Sequence, residues 1–312
     1  MKALIGFTGF VGSNLNSDIY QYVFNSKNIE EILKYNFDQI VCAGVRAEKF
    51  LANAYPTQDL QSIDQLIEIL KKVKCNQFIL ISTIDIYKEP NGVDENTYID
   101  TNNLHPYGAN RYHMEQFVRS HFEDYLIVRL PALFGKGLKK NFIYDMIHKI
   151  PTMIMKNKMI ELETIGTVED QQQLLKCYDK NAQGDYILRN DINDKERLVL
   201  KRRLEKLGFT SLIFTDSRSM FPFYDLSNLQ RDIDIAIENG IKELNIAVEP
   251  ITSEEIAREC FGVEFNNKIQ GKQPIYYDMK SIHADKWNGK QGYLYSKDQT
   301  LSQITKFIRE YI

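Results

Sequence analysis

At 312 residues, 43% of them hydrophobic and 26% charged, the chain has the composition of an ordinary globular protein, long enough for one large or two unequal domains. A formal net charge of −3 leaves no basic footprint for nucleic acid, and no apolar run approaches the ~20 residues that span a bilayer. The N-terminus opens on strand-like, glycine-containing sequence with no signal peptide. The four scattered cysteines (Cys42, Cys75, Cys177, Cys260) read as buried free thiols of a cytoplasmic protein, and neither they nor the five histidines have metal-ligand spacing.

Lys2-Ala3-Leu4-Ile5 reads as a short buried strand that runs into Gly6-Phe7-Thr8-Gly9-Phe10-Val11-Gly12, with a helix starting over 11–17. Glycines at 6, 9 and 12 permit a tight turn and a close approach to a pyrophosphate, and a helix start offers it free N–H groups. A strand over 20–24, a short helix over 29–34 and a strand over 39–43 follow. Apolar residues at Leu60, Ile63, Leu66, Ile67 and Leu70 predict a helix over 60–73. Next come a strand over 77–81, a polar loop over 91–103, a helix opened by Pro106 and running to 121, and a strand over 125–130 stopped by Pro131. This alternation predicts an α/β fold, a doubly wound parallel sheet with helices on both faces.

Beyond Pro131 the alternation fades. Helices are expected over 141–150, 196–207, 226–239, 254–260 and 298–311, and a strand over 243–248. The expected organisation is a dinucleotide-binding domain over 1–135 and a smaller region over 136–312, interleaved with the first domain and bearing the substrate site.

Two further clusters belong at the carboxyl ends of the predicted strands, where such sheets bind ligands. One is Ser82-Thr83-Ile84-Asp85; the other is Tyr107-Gly108-Ala109-Asn110-Arg111 in the first turn of a helix. Tyr107 and Arg111 are four apart and share a helix face, so the cation is expected to lower the phenol's pKa toward the range of an acid–base catalyst, with Thr83 donating to the same substrate oxygen.

In this order, the glycine turn, the Ser-Thr pair and Tyr-Gly-x-x-cation resemble the extended short-chain dehydrogenase/reductase family, in its sugar-nucleotide epimerase, dehydratase and reductase branch. The resemblance is strongest from residue 1 to about 141. It implies a Rossmann-type fold, a nicotinamide cofactor, and hydride transfer with Tyr107, Thr83 and Arg111 as the catalytic set. It places cofactor contacts on Gly6, Thr8, Gly9, Phe10, Val11, Gly12, Asn25, Ser26, Lys27, Ala43, Gly44, Arg46, Tyr107, Arg111 and Pro131. Substrate contacts fall on Asp85, Lys139 and Asn141, and Arg129 reads as structural. The family has lysine where this chain has Arg111, a planar fork in place of a compact ammonium.

Asn25-Ser26-Lys27 after the second strand carries a cation and no carboxylate, which favours NADP over NAD. The expected substrate is a nucleotide sugar, with reduction or epimerisation favoured over dehydration because Ile84 follows Thr83. The expected partners are small molecules only, and a homodimer is allowed. A protein that binds the cofactor without turnover, as a redox sensor or structural partner, is the alternative that Arg111 leaves open.

Overall fold

The structure is a computed structural model describing residues 1–15 and 17–311. The chain divides into two compact units, one of Met1–Leu138, Met220–Ile251 and Tyr276–Ile312, the other of Lys139–Ser219 and Thr252–Ile275. Among the described residues no helix is long and apolar enough to cross a membrane.

The first unit is built on six parallel strands. β1 (Lys2–Ile5), β2 (Tyr22–Phe24), β3 (Asn36–Cys42), β4 (Lys74–Thr83) and β6 (Tyr125–Leu130) are joined by a late strand, Glu243–Asn245, in the order β2-β1-β3-β4-β6 and then the late strand. Strand alternation splits the core in two. Leu4, Val41, Ile79, Leu126 and Val128 face one side, where Ile233 and Ala236 of α8 (Leu229–Glu238) cover them. Ala3, Ile40, Phe78, Leu80 and Ile127 face the other, against Ile63 and Ile67 of α2 (Pro56–Leu70) and Met114 and Val118 of α3 (Pro106–His121). A short helix, α1 (Lys49–Ala54), precedes α2, and β5 (Asn91–Val93) lies in the segment expected to be wholly loop, paired with Asp278–Met279.

The register aligns Ile5 with Cys42 and Thr83 with Leu130. The residues that follow these strand ends, from Gly6 to Pro131, therefore gather at one edge of the sheet.

The helix expected over 11–17 does not form. Gly12–Asn14 and Ser17–Ile19 are separate 3-10 turns, and Asn16 lies outside the described residues. The reason is Asn14, whose amide donates to Phe10 O and Lys136 O at 2.8 Å each, while its Oδ1 accepts from Lys136 N at 3.0 Å. These bonds compete with a helical continuation, and the glycines before them are poor helix formers.

α3 is held from behind by a buried charge cluster. Arg129, fully buried, donates to both oxygens of the equally buried Glu115 at 3.1 and 2.9 Å, and to Glu243 and Tyr87. Ser82 Oγ also donates to Glu115, at 2.6 Å, so it points away from its neighbour Thr83 and into the fold.

The second unit contains α4 (Phe142–His148), α5 (Lys156–Ile165), α6 (Val168–Cys177), α7 (Asp194–Lys206) and α9 (Ser253–Phe261), with a small antiparallel sheet of Met153–Ile154, Tyr186–Leu188 and Tyr178–Lys180. Ile154, Met159, Leu162, Leu174, Leu200 and Leu204 form its core. The remaining long helix, α10 (Lys297–Tyr311), returns to the first unit. Cys42 and Cys177 are buried, whereas Cys75 and Cys260 are half-buried, and no disulfide joins them.

Candidate active site

A cavity of about 100 Å³ opens at the carboxyl edge of the sheet, within the first unit. Val11, Ala43, Arg46, Thr83, Tyr107, Arg111 and Pro131 are among its lining residues. Seven residues expected at the site from sequence thus meet at one place.

The glycine turn is shaped by its own backbone. Gly6 has φ +87°, and a Cβ on Gly12 would lie 2.2 Å from Gly6 O, so both positions exclude a side chain. Gly9 is different: it is exposed, and a Cβ there would meet only Gly6 O, at 3.3 Å. None of the described acceptors takes the N–H groups of Phe10, Val11 or Gly12. Three unengaged donors beside an open glycine fit a phosphate group, although the long helix expected behind them is missing.

Tyr107 sits at the start of α3, where Pro106 occupies the first turn and His105 Nδ1 accepts from Gly108 N at 3.0 Å as the cap. A Cβ on Gly108 would lie 2.1 Å from Asp85 O, so glycine lets α3 press against the turn after Thr83. Tyr107 N donates to Asn53 at 2.9 Å. Burial raises the Tyr107 phenol above its ordinary pKa and outweighs the Arg111 charge and the Thr83 hydroxyl, which act downward. This corrects the expected net lowering: Arg111 has the expected sign, but desolvation is larger.

Arg111 stacks on Tyr107, its guanidinium carbon 4.0 Å from the ring centroid. Its fork is engaged elsewhere. It donates to both carboxylate oxygens of Asp59 and to Arg46 O, and it is only 4% exposed. Asn110 donates to the same Asp59, at 2.8 Å. Asp59 was invisible in the sequence, because a helix-start acid 52 residues from its partner carries no local mark.

Asp85 lies next to this centre and is ion-paired. Lys49 Nζ donates to its Oδ1 at 2.7 Å, and Tyr277 OH does so at 3.3 Å. Thr83 accepts from Asp85 N at 3.2 Å. Asn25, Ser26 and Lys27 follow β2. The Asn25 carboxamide is turned back to accept from Lys27 N at 2.9 Å, and Ser26 and Lys27 are exposed. Lys139 and Asn141 belong to the second unit. Lys139 is exposed, and Asn141 caps α4 by accepting from Tyr144 N at 3.0 Å. Trp287 donates to the buried carboxylate of Asp232 at 3.0 Å. No group of three or more His, Cys, Asp or Glu side chains is placed to hold a metal among the described residues.

The model of the NAD dependent epimerase/dehydratase family matches residues 19–196, more than half of the chain and beginning beyond the glycine turn. A comparison with curated proteins returned no match. Among solved structures, dTDP-4-dehydrorhamnose reductase from Bacillus anthracis in complex with NADP superposes with a TM-score of 0.61 at 16% identity, over 99% of this chain and 97% of that one. UDP-glucuronic acid 4-epimerase from Bacillus cereus, in complex with UDP-glucuronic acid and NAD, gives 0.59 at 18% identity over 100% of both chains. UDP-N-acetylglucosamine 4-epimerase from Methanobrevibacter ruminantium gives 0.61 at 13%, over 100% of this chain and 98% of that one. At such identities the likeness establishes the fold.

Proposed function

Because the chain belongs to the NAD dependent epimerase/dehydratase family, we propose that it is an NAD(P)-dependent reductase or epimerase acting on a nucleotide sugar. The observation that carries this reading is the meeting of Thr83 and Tyr107 on one cavity beside a glycine turn with unengaged N–H groups. A bound nicotinamide would supply the hydride in a reduction, or take it from the sugar and return it in an epimerisation. The turn at Gly9–Gly12 would hold the pyrophosphate, and Ala43, Gly44, Arg46 and Pro131 would flank the rest of the dinucleotide. Lys27, exposed after β2, would meet a 2′-phosphate, which favours NADP.

In this reading Tyr107 moves the proton of the reacting hydroxyl or carbonyl, and Thr83 polarises the same oxygen. With its pKa raised, Tyr107 is held as the protonated phenol at neutral pH, the form that a proton donor in carbonyl reduction needs. Arg111 packs beneath the Tyr107 ring. Lys139 and Asn141, which belong to the second unit, are the residues proposed to contact the diphosphate.

One observation favours a second reading, cofactor binding without turnover: the Arg111 fork is taken up by Asp59 and Arg46 O, not presented to a ribose. A single experiment separates the two. NADPH and NADH are titrated by fluorescence; the protein loaded with reduced cofactor is then offered nucleoside-diphosphate 4-keto sugars, and the protein loaded with the oxidised cofactor is offered the corresponding hexoses. Turnover that is lost in Tyr107→Phe with cofactor binding retained supports the enzyme. A bound cofactor inert toward every sugar supports the second reading, and tighter NADH binding unaffected by Lys27→Ala refutes the NADP preference.

A further inference from the structure

Lys49, Asp85 and Tyr277 come from three separate parts of the first unit and converge beside Tyr107. Lys49 opens α1, Asp85 lies two residues past Thr83, and Tyr277 immediately precedes Asp278–Met279, the strand that pairs with β5. Lys49 Nζ donates to Asp85 Oδ1 at 2.7 Å and to Tyr277 OH at 3.3 Å, and Tyr277 OH donates to Asp85 Oδ1 at 3.3 Å. His105 Nε2 stands 4.0 Å from that same oxygen.

Every described contact of the carboxylate thus falls on Oδ1. Asp85 Oδ2 accepts from none of the described donors, and the side chain is 17% exposed. An ammonium has three N–H donors, and two of those on Lys49 are engaged. The ammonium remains open, with the lysine side chain 40% exposed. The cluster therefore presents one free charged acceptor and one free charged donor side by side, over an aromatic residue. Asp85 O packs against Gly108, which adjoins Tyr107, so this pair stands next to the proposed acid–base group.

A strap serving only to fasten α1 would leave no reason for a half-open ion pair. Two neighbouring hydroxyls have the complementary pattern: one donates to Oδ2 and the other accepts from Nζ. The C–H face of a pyranose ring suits the aromatic side chain of Tyr277.

We propose that Lys49, Asp85 and Tyr277 are the seat of the sugar ring, holding a vicinal diol of a neutral hexose against Tyr107. This deepens the nucleotide-sugar reading and rests on it. It adds Lys49 and Tyr277 to the expected contact at Asp85, and it assigns the substrate an unmodified diol near the reacting carbon.

The test separates the sugar from its nucleotide. UDP-glucose, UDP-galactose and dTDP-glucose are each titrated against free UDP or dTDP by calorimetry, with the cofactor present. In the unaltered chain at least one sugar nucleotide binds more tightly than its free diphosphate. In Lys49→Met and Asp85→Asn that increment falls about tenfold or more, as expected for hydrogen bonds to charged groups, while UDP, dTDP and NADPH affinities stay within twofold. Tyr277→Phe keeps the ring, guards against misfolding of the charge variants, and loses part of the increment. Unchanged increments in the variants overturn the seat. A parallel fall in free-diphosphate and sugar-nucleotide affinity also overturns it, because the cluster is then only a strap. Diphosphate binding with no sugar increment in the unaltered chain overturns the seat alone; no response to any probe overturns the nucleotide-sugar reading as well.

Discussion

Asp59→Asn tests whether Arg111 is committed to its carboxylate. The substitution keeps the size of residue 59 and an acceptor for Asn110 but removes the charge facing a guanidinium whose side chain is 5% exposed. Breaking a buried pair from one side typically costs 3–5 kcal/mol, because the remaining charge is left uncompensated. Arg111 retains the Arg46 carbonyl and the Tyr107 ring, so the expected loss lies at the lower end, about 3 kcal/mol. Urea denaturation followed by circular dichroism measures it, with the slope checked for two-state behaviour. In a cycle with Arg111→Met the two losses should be non-additive by about 2 kcal/mol, since neither charge has value to the fold without the other. A loss under about 1 kcal/mol, or simple additivity, would refute the claim that Arg111 is committed to the Asp59 carboxylate.

The glycine turn and the second unit give two further expectations. Gly12→Ala forces a Cβ to 2.2 Å from a backbone carbonyl and should cost about 3 kcal/mol in a thermal melt, whereas Gly9→Ala should leave the melt nearly unchanged and weaken NADPH binding; equal melting of the two would contradict the geometry. In the second unit, burial pushes the Asp145 carboxyl up from 3.8 to about 6, so ionising it costs the native state stability as pH rises through that interval. Asp145→Asn should stabilise the chain by about 3 kcal/mol at pH 7.5 and hardly at all at pH 3.5, where the carboxyl is largely protonated; the same gain at both values would exclude the ionisation as its source.

Local signals made α3 and β6 legible to the residue. Pro106 fixes the helix start, and Pro131 ends the strand. The parallel sheet was legible from alternation for the same reason. The first crossover was misread because Asn14 is held by Lys136, 122 residues away, and no window around the glycines contains that information. α5 and α6 have no counterpart among the expected elements, although Thr167 and Asp170 form a capping box at the second. At the site, Thr83, Tyr107 and Arg111 stand in short motifs and could be named. Asp59, Lys49 and Tyr277 could not, since each acts through a pairing that only the folded sheet creates.

The two sides of the cavity are anchored to very different depths. Behind Tyr107, the Glu115–Arg129 cluster ties α3 to β4, β6 and the late strand, so the helix cannot lift from the sheet without exposing two fully buried charges. The glycine turn rests on two 3-10 turns and the bonds of Asn14. Amides in the interior of α3 should therefore exchange with solvent only when the whole unit opens, while those of the turn exchange through local excursions. On the proposed function, the side that would handle the proton is stiff and the side that would face the phosphate compliant, an asymmetry that would let a dinucleotide enter and leave without disturbing the alignment of Tyr107 and Thr83.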